Sequence, residues 1–259
     1  MGETAPNRRV VELTGKDALP FLQGLVSNDV LPLGKSPGLV WTALLTPQGK
    51  YLADFFVARI EAQTGGQTDT LYLDLPESLA DATLKRLSIY RLRSDVLLQA
   101  TTLSVTRSLS PAPNALPDPR HPALGWRSYG TPGTEPLIDW DAIRVAHTIP
   151  ESAVELIPDD SYLLETGFDR LHGVDFRKGC YVGQEVTARM KHKTDLRKGL
   201  RQVLVEGGAP IGTPIMADGK EAGTLYTQSH GRGIAFLRFD RALGDMTAGP
   251  AIVRLPDGS

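Results

Sequence analysis

The chain has 259 residues, of which 41% are hydrophobic and 22% are charged, as in an ordinary globular protein. A formal net charge of −2 excludes the overall basic character of a nucleic-acid coat protein. A single cysteine excludes an intrachain disulfide framework and a metal site built from several of the chain's own cysteines. The N-terminus does not have the pattern of a signal peptide, and no apolar run approaches the about 20 residues that span a bilayer. We therefore expect a cytoplasmic, monomeric protein without membrane contact.

The N-terminal segment predicts a capped helix followed by a polar loop. Asp17 lies at or near the expected N-cap, and Pro20 is tolerated only in the first turn, where backbone N–H groups have no intrahelical partner. Ser27, Asn28 and Asp29 then favour the end of the helix, because their side chains bond the nearby backbone. The loop could instead present Asn28 to a ligand. The apolar residues at helical spacing are Ala18, Leu19, Phe21, Leu22 and Leu25.

Two apolar, β-prone runs at residues 39–45 and 51–60 are joined by a turn that contains Pro47 and Gly49, which predicts a hairpin. Asp54 interrupts the second run. Because residues on both faces of this strand are apolar, a carboxylate there is unfavourable unless a partner or a ligand meets it. Asp54 is therefore either a ligand-binding residue or a structural acid satisfied within the protein.

The next part of the chain predicts a mixture of strands, helices and surface connections. The proline-rich connection is the expected subdomain boundary, and Asp139 or Asp141 can cap the last helix, which must end before Pro150. We expect a polar turn at residues 63–69, a strand at 71–75, a helix at 76–87, an extended run at 90–98, the proline-rich connection at 108–122, a short strand at 124–129 and a helix at 139–146.

The one cysteine lies in the segment Lys178-Gly179-Cys180-Tyr181-Val182-Gly183-Gln184-Glu185. Its glycines allow a tight turn or a close approach to a ligand, and residues 185–190 predict a short helix. Positive charge from Arg177 and Lys178, with free N–H groups at a helix start, favours a thiolate. Cys180 is therefore a candidate reactive residue rather than a small apolar filler.

The chain around this segment is locally basic between residues 177 and 201. A run of charges usually forms a solvated face, but beside a cysteine it can also receive an anion, such as a polyglutamate tail or RNA phosphates. Glu185 and Arg189 lie four residues apart on one helix face. For this pair alone we favour an ordinary surface ion pair.

The C-terminal part predicts short strands separated by glycine and proline. Asp218-Gly219 is a strong hairpin signal between two of them. The strands are expected at residues 202–205, 214–216, 221–227, 233–239 and 251–255. An α+β structure that ends in a small antiparallel β-barrel follows from this order of elements.

The segment at residues 178–185, continued by residues 186–190, resembles the signature of the YgfZ family of folate-binding proteins, relatives of the glycine-cleavage T protein. Weaker similarity lies at residues 22–24, 27–30, 45–50, 91–94, 222–224 and 231–233. The resemblance implies a three-domain ring, with a discontinuous folate-binding domain at residues 1–46 and 116–195. An inserted α+β domain at residues 47–115 and a barrel at residues 196–259 complete it.

The resemblance also implies a function. It is that of a folate-binding accessory protein for the assembly, maturation or repair of iron–sulfur enzymes, including tRNA-thiolating ones. Tetrahydrofolate or a one-carbon derivative would be the cofactor, and iron–sulfur client enzymes or cluster carriers would be the partners. Cys180 would act as nucleophile, cluster ligand or redox switch. The expected folate-binding residues are Asp54, Asn28, Tyr181, Gln184 and Glu185. The signature residues are Lys178, Gly179, Cys180, Tyr181, Gly183, Gln184, Glu185 and Arg189.

Two other functions compete with this one. A tetrahydrofolate-dependent aminomethyl or one-carbon transferase would require the Asp-Asp pair of the T protein. This chain has Ala53-Asp54 instead, so we do not expect aminomethyltransferase turnover. A tRNA-binding module would require aromatic residues among the basic ones, so that bases can stack on them. None lies between Arg189 and Arg201, and this function ranks lowest.

Overall fold

The computed structural model describes residues 2–60, 70–134, 137–193 and 195–256, so the turn expected at residues 63–69 lies outside the described residues. The chain separates into two compact units. The first comprises Met1–Ile138 and Asp169–Val186, and the second comprises Asp139–Phe168 and Thr187–Ser259. The three domain boundaries implied by the resemblance stay a prediction. Within the described ranges, no helix is long and apolar enough to cross a membrane.

Among its described residues, the first unit contains two antiparallel sheets and two complete α-helices. The five-stranded sheet has the strand order β3-β4-β5-β2-β6, and the four-stranded sheet has the order β1-β7-β9-β8. The elements are β1 (Glu3–Thr4), β2 (Arg8–Thr14), α1 (Ala18–Gln23), β3 (Gly38–Leu45), β4 (Tyr51–Arg59), β5 (Leu71–Pro76), α2 (Glu77–Arg91), β6 (Leu97–Ala100), β7 (Ser104–Ser108), β8 (Leu116–Pro117) and β9 (Trp126–Gly130).

The β3–β4 hairpin confirms the prediction from sequence and supplies the core of the first unit. Phe55 and Val57 face a cluster that also contains residues from α1 and β5. Phe56, on the opposite face, is also buried, as is Asp54 beside it. Gly49 closes the hairpin turn with a φ of +75°, a backbone conformation that glycine adopts without strain.

A network of buried charges joins the two sheets. Asp74 on β5 accepts hydrogen bonds from Arg8 Nε at 2.6 Å, from Arg127 Nη1 at 3.0 Å and from the Tyr129 hydroxyl at 3.2 Å. The Arg127 guanidinium lies 4.0 Å from the centre of the Phe56 ring. Burial disfavours the charged form of Arg127, but the facing carboxylates outweigh it and raise its pKa.

The proline-rich connection contains a second part of this network. Asp118 accepts hydrogen bonds from Arg120 and from Arg127, and all three side chains are buried. Burial raises the pKa of Asp118, but the two arginines outweigh burial and lower it to about 2. The expectation that this stretch runs over the surface is therefore wrong at Asp118 and Arg120.

Two predicted element boundaries are also wrong. The first helix ends at Gln23, before Leu25, and Asp17 makes no side-chain capping bond. Its carboxylate instead accepts the backbone N–H of Asp95 at 2.8 Å, so a contact distant in sequence replaces the local cap. The extended run expected at residues 90–98 begins as helix, because α2 continues to Arg91.

The second unit is organised around a closed six-stranded antiparallel barrel with the order β10-β13-β12-β11-β14-β15. Asp218 and Gly219 form the turn between β11 and β12, as predicted. The short β14 was not expected from sequence. Helix α4 (Gln184–Lys193) begins in the first unit and continues into the second. The other elements of the second unit are α3 (Trp140–His147), β10 (Lys198–Glu206), β11 (Thr213–Ala217), β12 (Lys220–Ser229), β13 (Arg232–Arg238), β14 (Met246–Ala248) and β15 (Ala251–Arg254).

Candidate functional site

The signature segment forms a loop that leads into α4, and we call residues 177–183 the signature loop. Cys180 is a free, exposed cysteine on this loop. Helix α4 begins at Gln184, so the thiol lies four residues before the first helical residue. Gly179 has a φ of +92°, and a Cβ built on it would meet no atom within 4 Å. The cysteine is therefore accessible to a reagent or a partner.

Lys178 fixes one side of the signature loop. Its ammonium donates hydrogen bonds to three backbone carbonyl oxygens, those of Gln23 at 2.8 Å, Val26 at 2.5 Å and Asn28 at 2.9 Å. These carbonyls lie at the end of α1 and in the turn that follows. Burial lowers the pKa of Lys178 to about 8, although the carboxylates of Asp29 and Asp175 oppose the shift.

The side chain of Gln23 also binds the backbone of Lys178. Its amide Nε2 donates to the Lys178 carbonyl at 3.2 Å and to Asp29 Oδ1 at 3.0 Å, while its Oε1 accepts the Val30 N–H at 3.1 Å. The two residues are thus joined in both directions. Hydrogen bonds thus join residues 22–24 and 27–30 with Lys178 of the signature segment.

Ser27 and Asn28 fix the chain that enters the loop. The Ser27 hydroxyl donates to the Gly173 carbonyl at 2.7 Å, and the Ser27 carbonyl accepts the Asp175 N–H at 3.1 Å. The Asn28 amide donates to the carbonyls of His172 at 2.6 Å and Trp41 at 2.8 Å. The side chain of Asn28 therefore supports the loop, and its expected contact with folate stays a prediction.

The other side of the signature loop is fixed by glycine and glutamine. A Cβ on Gly183 would lie 2.5 Å from the Thr46 carbonyl oxygen, so the loop packs directly against the hairpin turn. The Gln184 Oε1 accepts the N–H of Tyr181 at 3.2 Å. Tyr181 itself is buried. Cys180 therefore lies between an anchor at Lys178 and an anchor at residues 181–184.

Asp54 lies in the same network but is enclosed. Its carboxylate accepts hydrogen bonds from Trp41 Nε1 at 2.8 Å and from the Tyr51 hydroxyl at 2.7 Å, and Asp54 is 4% exposed. Trp41 also contacts Asn28 through its carbonyl. The indole and the backbone carbonyl of Trp41 thus bond Asp54 and Asn28, respectively. The carboxylate of Asp54 thus has partners within the protein, and its expected contact with folate stays a prediction.

Reasoning from sequence missed several supporting residues. Gln23, Ser27, Trp41 and Tyr51 hold the predicted residues in place, and only the similarity at residues 22–24 and 27–30 pointed towards two of them. Glu185 is exposed in the first turn of α4, and Arg189 is also exposed. Their roles stay predictions.

The barrel supplies the aromatic neighbours that the basic segment lacks in sequence. The Lys198 ammonium lies 5.3 Å from the centre of the Phe236 ring, and the Arg201 guanidinium lies 4.2 Å from that of Phe239. These are cation–π contacts between β10 and the strand that pairs with it or its continuation. Cations expected to be free for an anion are thus partly engaged within the barrel.

The described residues contain no group of three or more His, Cys, Asp or Glu side chains arranged to hold a metal ion.

The chain resembles the glycine cleavage system aminomethyltransferase T from Bartonella henselae, with a TM-score of 0.72, 11% identity and coverage of 95% of this chain and 82% of that chain. At this identity the likeness shows the fold. Residues 197–257 match the family described as the CAF17 C-terminal beta-barrel domain. The protein thus has a glycine-cleavage T-like fold, and its C-terminal barrel matches the CAF17 family model.

Relatives with curated names are iron–sulfur cluster assembly factors of the IBA57 type. The chain is 35% identical to the Mycosarcoma maydis homolog, over 74% of this chain and 54% of the relative. It is 33% identical to the Neurospora crassa homolog, over 82% of this chain and 55% of the relative, and 29% identical to the Mus musculus protein, over 92% and 78%. The chain spans about half the length of the two fungal relatives.

The expected cytoplasmic location is wrong. The relatives from Mycosarcoma maydis, Neurospora crassa, Mus musculus and Homo sapiens are all named as mitochondrial proteins, which points to mitochondria. A single cysteine indicates a reducing compartment, but it does not distinguish one such compartment from another.

Proposed function

We propose that this chain is an accessory factor in the assembly, maturation or repair of iron–sulfur proteins, and that Cys180 is its reactive group. The observation that carries the proposal is an exposed cysteine on a loop that is fixed on both sides, by Lys178 and by residues 181–184. An exposed thiol held in one place can meet a partner in a defined geometry. The names of the relatives support the same role.

The chemistry of the thiol suits this role. Thiolate is a soft ligand that iron–sulfur clusters prefer, and one thiolate cannot complete the ligand set of a cluster. Cys180 would therefore share a cluster with a carrier or a client, and the partner's ligands would complete the coordination. Iron–sulfur client enzymes, tRNA-thiolating ones among them, and cluster carriers are the partners that we propose.

We further propose tetrahydrofolate or a one-carbon derivative as the cofactor. The residues fit such a ligand in kind, since a carboxylate beside aromatic rings can accept the N–H groups of a pterin ring. Tyr51 and Trp41 hold the Asp54 carboxylate in one orientation. Because Asp54 is 4% exposed, a folate that touches it must reach a small part of the carboxylate or displace the tyrosine hydroxyl. A bound folate would supply one-carbon chemistry.

Replacing Cys180 with serine is expected to abolish the activity of iron–sulfur enzymes in cells that depend on this chain. Serine is nearly isosteric but gives no thiolate, and an exposed position tolerates the change without a cavity. The measurement compares complementation of cells that lack their own factor by wild-type chain and variant, with equal protein levels confirmed.

Ser78→Ala, a similar small change at an exposed position of α2, is the control and should complement fully. Full complementation by a folded Cys180→Ser variant would remove the thiol from the mechanism.

Replacing Asp54 with asparagine is expected to weaken the binding of reduced folate by about one to two orders of magnitude in Kd. A hydrogen bond to a charged group is worth about 1.5 to 3 kcal/mol, which corresponds to this change. Calorimetric titration with tetrahydrofolate measures it.

Asp159→Asn removes the same charge from an exposed position and should leave the Kd unchanged. Tyr51→Phe separates contact from orientation, because it removes one hydroxyl that holds Asp54 and keeps the ring. An unchanged Kd in Asp54→Asn would exclude the proposed contact.

A further inference from the structure

The ammonium of Lys178 binds backbone oxygens and also lies 5.2 Å from the centre of the Tyr181 ring. The carbonyls of Gln23, Val26 and Asn28 surround it at 2.5 to 2.9 Å. The last carbonyls of a helix have no intrahelical partner, and a cation near a helix C-terminus compensates for them. Three donors meet three acceptors here, so one side chain satisfies the end of α1 and the turn beyond it.

One residue, Gly179, separates Lys178 and its hydrogen bonds from Cys180. Gln23 binds the Lys178 carbonyl as well, so both the backbone and the side chain of residue 178 are fixed. The following residue, Gly179, has φ at +92° and open space around it. Beyond Cys180 the buried Tyr181 begins the second anchor. Gly179 and Cys180 therefore connect the two fixed parts of the loop, Lys178 and Tyr181.

We propose that Lys178 is a positioning residue, an internal cation that holds Cys180 in place by binding the carbonyls at the end of α1. The proposal rests on the proposed function only for its consequence in the cell, since the position of Cys180 can be measured directly. Without the ammonium, three carbonyls lose their donor and the N-terminal side of the loop loses its side-chain anchor. Burial lowers the pKa of Lys178 to about 8, so the ammonium is the main form at pH 7.

The sole cysteine provides the measurement. A nitroxide spin label attached to Cys180 of the full chain reports the mobility of the loop without removing other cysteines. In Lys178→Ala we expect the correlation time of the label to fall about threefold, because loop motion on the nanosecond timescale adds to tumbling of the whole molecule. Lys85→Ala, a change at an exposed lysine of α2, is the control and should leave the spectrum unchanged.

Chemical rescue distinguishes a bound cation from ordinary packing. Lys178→Ala removes the atoms of a propylammonium ion, so propylammonium chloride at pH 7 should slow the label again. Tetramethylammonium chloride at the same ionic strength should not, because it has no N–H donor. A spectrum of Lys178→Ala equal to that of the wild-type chain, or an equal effect of the two salts, would overturn the proposal. Urea unfolding of each labelled variant confirms that the spectra belong to the folded protein.

Complementation separates this inference from the proposed function. If the label becomes mobile and propylammonium restores it, Lys178 positions Cys180 whatever the cells show. If Cys180→Ser still complements, the proposed function fails while the positioning role remains. If Cys180→Ser fails to complement but the label in Lys178→Ala is as immobile as in the wild-type chain, the function stands and the positioning role is wrong.

Discussion

Replacing Asp74 with alanine is expected to lower the free energy of unfolding of the first unit by about 3 to 5 kcal/mol. Asp74 is fully buried and accepts hydrogen bonds from Arg8, Arg127 and Tyr129. Its removal leaves two buried guanidinium groups with one carboxylate fewer, and this uncompensated charge is the main cause of the loss. Urea unfolding followed by circular dichroism measures the change.

The control is Asp81→Ala on α2. The Asp81 side chain is 89% exposed, and its ion pair with Arg9 is open to solvent, so this change should stay within about 0.5 kcal/mol. Asp74→Asn keeps the size of the side chain but removes its charge, and it should fall between the two. Equal midpoints for Asp74→Ala and Asp81→Ala would show that the buried network contributes little to stability.

This network also shows where prediction from sequence ends. Strand alternation placed Asp54 on a buried face, and the hairpin and the barrel followed from alternation and turn residues, which are local signals. Asp118 and Arg120 lie among prolines and small polar residues, a pattern typical of an exposed connection. Their burial depends on Arg127 from another strand, and no local pattern contains such a partner.

The candidate site likewise contains features that the sequence predicts and features that it does not. The lone cysteine between glycines marked the signature loop. Cys180 is exposed, and its reactivity stays a prediction. Lys178 was expected to act through its charge near the thiol, whereas its three donors are used on carbonyls about 150 residues away in sequence. Every residue carries a backbone carbonyl, so the identities of the residues that bind such a side chain do not reveal the contact. Only the fold could reveal this contact.

Gly183→Ala is expected to destabilise the first unit by about 2 to 5 kcal/mol, through two effects. A φ of +84° is unfavourable for a residue with a Cβ by about 1 to 2 kcal/mol. The new Cβ would also lie 2.5 Å from the Thr46 carbonyl oxygen and 2.9 Å from Leu45 Cβ, and overpacking of this kind costs about 1 to 3 kcal/mol. The hairpin turn and the signature loop must then move apart.

Gly179→Ala is the matched control, because it introduces the same methyl group on the same loop. Its φ of +92° brings a similar backbone strain, but nothing lies within 4 Å of the new Cβ. The difference between the two variants in free energy of unfolding therefore isolates the steric contact with Thr46, and we expect it to be about 1 to 3 kcal/mol. If both variants lose the same amount in urea unfolding, backbone strain alone accounts for Gly183, and the direct packing of the signature loop on the hairpin turn contributes nothing measurable to stability.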